Sequence, residues 1–215
     1  MSSLKAASDL CTWARELVQL GIASDENGCL SIRSGDTILM TPENKNLSEL
    51  EAEDIATIDI KTCAPKDGPK PDSRFALHVA LYKKRKKTSA LLHAESLSIK
   101  TSSRAGIEVP PLLDDMAQIV GVTAKVAHGW PYRGAAPVVS AMKGRDAVLL
   151  KNSGALCGGP SMDDAVAVAQ VLEKGCKAFI ETSFLGGGVK INAAESLLMR
   201  TVYKLKYSKQ DTTNA

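Results

Sequence analysis

Apolar residues recur at helical spacing at the start of the chain. Leu4, Ala7, Cys11, Ala14, Leu17 and Val18 form one stripe, with Ser2 or Ser3 as a cap and Gly21 as a stop. The period then shortens. The runs "CLSIR" and "TILMTP", separated by Ser34-Gly35-Asp36, predict a hairpin, and "IATIDI" a third strand. The stretch "KTCAPKDGPKPDS" is a loop by its Pro, Gly, Lys and Asp content. Ser73 is placed to cap a helix through about Lys84, with Phe75 and Leu81 pointing inward. "ALLHA" predicts a strand that ends in a polar segment, "LLDDMAQIVG" a helix ended by Gly121, and "AKVAH" another short strand. "AAPVVSAMKG" predicts a short helix with Pro137 near its start. In "AVLLKNSGALCGG" two apolar arms flank Asn152-Ser153-Gly154 as in a hairpin. Ser161 with Asp164 opens the longest helix, which runs to about Phe184. "FLGGGVKI" interrupts the chain, and Asn192 with Glu195 begins a last helix carrying Leu198, Val202 and Leu205.

No internal repeat and no linker divides this order. Strands and helices are interspersed, yet several strand pairs are hairpins and not βαβ units. The expected architecture is α/β: a single three-layer αβα domain with a mixed, largely antiparallel sheet. Its 215 residues suffice for one well-buried domain, and 44% apolar and 24% charged residues are ordinary globular values. Aromatics supply only 4%, so the core must rest on Leu, Val, Ile, Ala and Met. The end of the chain, "SKQDTTNA", is polar, and residues 209–215 are expected to be a tail.

Charge excludes more than it suggests. A net charge of +3 does not point to nucleic acid or a membrane surface. The basic run Lys83, Lys84, Arg85, Lys86 and Lys87 reads as the solvated end of a helix, with no interleaved aromatics to stack bases. Five cysteines (Cys11, Cys29, Cys63, Cys157, Cys176) form no C-x-x-C pair, which argues for a reducing compartment. No signal-like apolar core precedes Asp9 and no apolar run reaches 18 residues, so a cytoplasmic location is expected.

Candidate chemistry centres on "LLHAES". His93 and Glu95 are spaced i, i+2 and share a face of a strand, as two metal ligands would. His78 reads as a structural histidine, and His128 lies on a different predicted strand. Trp130 and Tyr132 read as a pocket edge or subunit contact. Ser153 sits in a tight turn but lacks the first glycine of a nucleophile elbow. Gly186-Gly187-Gly188 lacks the strand and the lysine of a phosphate loop, and nothing marks Lys151 or Lys190 as desolvated.

The order of these motifs resembles the class II aldolase/adducin head family over nearly the whole chain, residues 1–208. The quoted correspondences are "GCLS" for Gly-Asn-x-Ser, "TPENKNL" for a Thr-Pro-Ser-Gly turn, and "DSRFALHVALY" for Ser-Ser-Glu followed by His-x-x-x-Tyr. "LLHAES" stands for a strand ending in His-x-His, and "LKNSGALCGG" for an Asn-His-Gly hairpin. In the family's aldolases, which include fuculose-phosphate aldolase, both histidines of His-x-His and the histidine of Asn-His-Gly hold a zinc ion. The ion stabilises the enediolate formed as the carbon–carbon bond breaks, and the Glu of Ser-Ser-Glu moves the proton. Carried over by position, the ligands are His93, Glu95 and Ser153, and the acid/base is Arg74. Cys29, Asn44 and Asp72 replace phosphate-binding residues, while Ser31, Thr41 and Ser73 remain as candidate substrate-binding groups.

The resemblance therefore implies a family member diverged from zinc-dependent sugar-phosphate aldolases. His93 and Glu95 are the remnant of the metal site. No cofactor is expected, and zinc if any. Arg74 cannot act as a base, and its expected partner is Glu95 or Asp72. If active, the chain is a carbon–carbon lyase using Arg74 and Glu95 on a small sugar or sugar phosphate. The alternatives are a non-catalytic oligomeric or ligand-binding protein, or a metal-independent lyase or decarboxylase. The family also implies a homo-oligomer, a tetramer.

Overall fold

In the computed structural model, which describes residues 3–66 and 68–207, seven strands form one sheet in the order β4-β3-β2-β1-β5-β7-β6. They are β1 (Leu30–Ser34), β2 (Thr37–Met40), β3 (Ala56–Asp59), β4 (Ala64–Pro65), β5 (Ala90–Ala94), β6 (Ala147–Leu149) and β7 (Ala155–Gly159). Every pairing of these strands is antiparallel; the parallel contact is an isolated bridge from Val126 to Leu149. The predicted strand "AKVAH" is reduced to that bridge and to Val109↔Ala124. The predicted tail, residues 209–215, and a cap at Ser2 lie outside the described residues.

The helices are α1 (Ser3–Gln19), α2 (Phe75–Lys84), α3 (Leu97–Ala105), α4 (Ala136–Ala141), α5 (Met162–Phe184) and α6 (Ala193–Tyr207). They cover both faces of the sheet, because alternate strand residues enter two separate apolar clusters. Leu30, Leu39, Leu92 and Leu149 pack with Leu10, Leu17 and Leu172 from α1 and α5. Ile38, Met40, Leu91 and Leu156 pack with Leu77, Leu81 and Val138 from α2 and α4. Central β5 is buried along its whole length, which is why it reads as an unbroken apolar run.

Local chemistry sets the helix boundaries. Ser161 and Asp164 form the expected capping box on α5. Ser73 does not cap α2. The Asp72 carboxylate instead accepts from the Arg74 backbone N–H, and the Asp72 carbonyl accepts from that of Phe75. The region predicted as a helix at "LLDDMAQIVG" closes as a π-helical turn over Met116–Val120. Helix α3 has no apolar stripe of its own: Ser98, Ser102 and Ser103 are buried beside Ile99. Its start is held from α5, where the Glu173 carboxylate accepts from the Ser98 and Ile99 amides and the Ser96 hydroxyl. Arg85 and buried Arg200 converge on Asp146, tying the end of α2 and the middle of α6 to the strand beside them.

Candidate functional site

The centre of the candidate site is built by strand register. Leu30 pairs with Leu92, and the His93 amide donates to the Cys29 carbonyl at 2.9 Å, so Cys29 and His93 are cross-strand neighbours. Alternation sends Cys29, Ser31, Leu91 and His93 to the face covered by α2. From that helix, His78 and Tyr82 descend four residues apart on one side. The His78 Nδ1 lies 2.7 Å from the Ser31 hydroxyl, and its Nε2 lies 3.1 Å from the Nε2 of His93 and 3.8 Å from the Cys29 thiol. The Tyr82 hydroxyl donates to the Ser31 carbonyl at 2.9 Å and lies 2.8 Å from the Ser31 Oγ. Cys29, Ser31, His78, Tyr82 and His93 are all fully buried.

Two glycines permit this packing. A Cβ on Gly28 would stand 2.3 Å from the Leu47 side chain, and one on Gly154 would stand 2.3 Å from the Ala94 carbonyl oxygen. Gly154 also has φ +75°, so the Asn152–Gly154 turn closes directly onto the end of β5.

Burial dominates the electrostatics of this interior. It lowers the pKa of His78 to about 3, with the Arg74 charge acting in the same direction, and lowers that of His93 well below the usual imidazole value. Both rings are therefore neutral at physiological pH. Burial likewise pushes the Cys29 thiol strongly upward, against the pull of Arg74.

The outer groups are ionic. Arg74 grips Asp72 with two parallel bonds, Nε to Oδ1 at 2.8 Å and a terminal nitrogen to Oδ2 at 2.6 Å, and also donates to the Asn27 carbonyl at 2.7 Å. Burial alone would raise the Asp72 pKa, but the hydrogen bonds and charge of Arg74 outweigh it and the net shift is downward. Of the two partners expected for Arg74, the structure selects Asp72. Glu95 is paired instead with Lys100, at 3.1 Å.

The other sequence candidates separate. Ser31 and Thr41 are inside the protein, not at its surface: the Thr41 hydroxyl accepts from the Leu30 amide at 3.1 Å, and the Ser31 hydroxyl is held by His78 and Tyr82. Neither has a free face for a ligand, whereas Ser73 is exposed. Ser153 and His128 are exposed as well. His78 and Cys29 were not singled out together by sequence. The one local signal is the alternation of Cys29 and Ser31 toward a helix that carries His78 and Tyr82. A surface groove of about 570 Å³ runs along α1 beside Thr12, Arg15 and Glu16, and includes none of these groups.

These positions do not make the zinc site that the resemblance implies. His93 aside, the carboxylate of Glu95 is neutralised by an ammonium, and Ser153 offers only a neutral hydroxyl. Three strong donors facing one point are what such a site requires, and this set does not supply them. A different trio does approach one point. Donor atoms of Cys29, His78 and His93 all lie within 4.8 Å of one another, in a group able to hold a metal ion.

Comparison with known proteins gives a consistent picture. Residues 8–180 match the family described as class II aldolase and adducin N-terminal domain. An L-fuculose phosphate aldolase of Methanocaldococcus jannaschii is 30% identical over 166 residues, covering 76% of this chain and 89% of the relative. A 5-deoxy-D-ribulose 1-phosphate aldolase of Bacillus thuringiensis serovar kurstaki is 25% identical over 85% of this chain and 87% of its own length. Among solved structures, an L-fuculose 1-phosphate aldolase superposes with a TM-score of 0.88 at 25% identity, covering 95% of this chain and 98% of that one.

Proposed function

Because the chain belongs to the class II aldolase and adducin N-terminal domain family, we propose that it binds a small sugar-phosphate-like ligand on the family scaffold without carrying out zinc-dependent aldol cleavage. The observation that carries this reading is the Asp72–Arg74 clamp. Aldol cleavage needs a group that takes a proton from the substrate and another that stabilises the electron pair left on carbon. At the position of the proton-moving carboxylate stands a guanidinium, which does not deprotonate near neutral pH, and Asp72 holds it in place. Arg74 commits Nε and one terminal nitrogen to Asp72 and Asn27. Its other terminal nitrogen, with exposed Ser73 beside it, is the group suited to binding an anionic oxygen and not to moving protons. The sugar-phosphate ligand class is supported by the names of the relatives.

With L-fuculose 1-phosphate as the probe and zinc present, the expected outcome is no release of a three-carbon ketose phosphate. The same compound should raise the melting temperature in a concentration-dependent way, and Arg74→Ala should lose that shift. Zinc-dependent turnover would overturn the proposal. The metal-independent lyase reading requires Arg74 and Glu95 to work together on one ligand. It is weakened because each is held by a different partner.

Assembly and location follow from the same reading. We infer a homo-oligomer, a tetramer by resemblance, supported by exposed Leu97 on α3 and by Leu197, Leu198, Val202 and Leu205 on α6. Light scattering after size exclusion should give four times the chain mass, and a monomer would refute it. A cytoplasmic location is supported by the five free thiols. Among the described residues no helix is long and apolar enough to cross a membrane.

A further inference from the structure

The geometry points to a metal-binding centre formed by the Cys29 thiolate and the imidazoles of His78 and His93, suited to one zinc ion per chain. Of these three residues, only His93 occupies a position of the zinc ligand set that the resemblance implies. The inference does not depend on the ligand reading above.

Distances come first. Zinc binds imidazole nitrogen at roughly 2.0–2.1 Å and thiolate sulfur at roughly 2.3 Å, so tetrahedral donors lie about 3.3–3.7 Å apart. Here the two Nε2 atoms are 3.1 Å apart, and the Cys29 Sγ is 3.8 Å from the Nε2 of His78. All three donor atoms lie within 4.8 Å of one another, and the two rings, 8° from parallel with centroids 5.2 Å apart, would have to turn so that both Nε2 atoms face one ion. One thiolate and two imidazoles is a donor set that favours zinc over magnesium or calcium.

Proton positions come second. The Tyr82 hydroxyl has one proton, and the Ser31 carbonyl can only accept it. The contact between the Ser31 and Tyr82 hydroxyls then requires the Ser31 proton. So the short contact from Ser31 Oγ to His78 must be filled by an Nδ1–H of the histidine. That assigns His78 a bare Nε2, aimed at His93 and Cys29. A histidine whose far nitrogen donates to a protein oxygen is the usual arrangement of a metal ligand, because it fixes the ring and the tautomer. Nδ1 of His93 is buried and has no hydrogen-bond partner. Nothing on that side of the ring ties it to the tautomer that donates to His78, so it can present a bare Nε2 instead.

The step balances. Zinc binding releases one proton, from the Cys29 thiol, while His78 keeps its proton on Nδ1 and that of His93 moves from Nε2, where it bonds His78, to Nδ1. The added charge lies near the Asp72–Arg74 pair, both members of which act on the thiol, with the Thr41 hydroxyl beside it. Arg74 already has Asp72 as its partner.

The test uses full-length protein made without an affinity tag and stripped with a chelator. Cobalt(II) is the spectroscopic probe, and zinc the competitor. One equivalent of cobalt should give a thiolate-to-metal charge-transfer band with tetrahedral visible bands, saturating at one ion per chain and bleached by zinc. Cys29→Ser should abolish the charge-transfer band, and His78→Gln should weaken cobalt binding at least tenfold. Cys63→Ser, at an exposed thiol, and Glu95→Gln should leave the spectrum unchanged. If Cys29→Ser does not fold, the wild-type spectrum decides alone, and X-ray absorption should show one sulfur and two imidazoles around the ion. Absence of stoichiometric binding overturns the proposal. So does a spectrum lost in Cys63→Ser or Glu95→Gln, or retained in folded Cys29→Ser.

Discussion

The inside and the rim of the candidate site follow opposite designs. The inside, Cys29, Ser31, His78, Tyr82 and His93, is fully buried, neutral and connected by hydrogen bonds from two strands to one helix. The rim, Asp72–Arg74 and Glu95–Lys100, consists of charges that neutralise each other at the edge of the same cluster. The inside fixes how α2 sits on the sheet, so changing one member leaves others unsatisfied. The rim can change chemistry without changing the fold, as long as each buried charge acquires a partner. That contrast lets a chain keep the family's architecture while the charges at the rim vary.

The sharpest way to break the comparison is pH. In metal-free protein both inner histidines are neutral when folded, His78 with a pKa near 3, whereas unfolded histidine takes a proton near pH 6.5. The unfolded state therefore binds more protons as pH falls. This stability is complete above the unfolded value and is lost as pH drops from about 6.5 toward the folded values. The slope approaches about 1.4 kcal/mol per pH unit for each ring, roughly 3 kcal/mol for both between pH 6.5 and 5. Urea denaturation at a series of pH values should show it, and His78→Phe should halve the slope. A flat profile over that range would sink the neutral-pair account. Asp72, whose pKa is lowered, acts in a separate window: its contribution holds above about pH 4 and is lost as pH falls through its folded value.

Next in size is Arg74→Ala. It strands a nearly buried carboxylate and should cost about 3 kcal/mol, by analogy with broken buried pairs. Asp72→Ala in the same chain should recover part of that loss, and a strictly additive double-mutant cycle would show that the clamp is not a unit. Tyr82→Phe removes one donor from the inner network and should cost about 1.5 kcal/mol in urea melts. Lys100→Ala breaks a pair whose lysine is well exposed and should change stability by about 0.5 kcal/mol or less. A loss there as large as that for Arg74→Ala would erase the distinction between the two pairs.

The same contrast governs what the sequence made legible. The Asp72–Arg74 pair was accessible because its partners are two residues apart. The hairpins and the capping box at Ser161 and Asp164 were accessible for the same local reason. Helix α3 was not, since serines fill its buried face and its start is held by Glu173 from a distant helix. The strand expected at "AKVAH" has the right alternation but finds only single bridges. The trio Cys29, His78 and His93 depends on strand register and on the docking of α2, neither of which is written in any one segment. Ser31 and Thr41 were expected as substrate-binding groups from the resemblance, and their burial appeared only with the fold.

The measurement that bears most directly on the central claim is zinc binding and retro-aldol turnover by the wild type beside the triple variant Arg74→Glu, Glu95→His, Ser153→His. If Arg74, Glu95 and Ser153 account for the lost chemistry on an intact scaffold, the wild type will not cleave L-fuculose 1-phosphate with zinc supplied, and the variant will bind zinc through the introduced ligands and gain detectable cleavage. Zinc-dependent cleavage by the wild type, or a folded variant that gains neither zinc at those ligands nor activity, would contradict it.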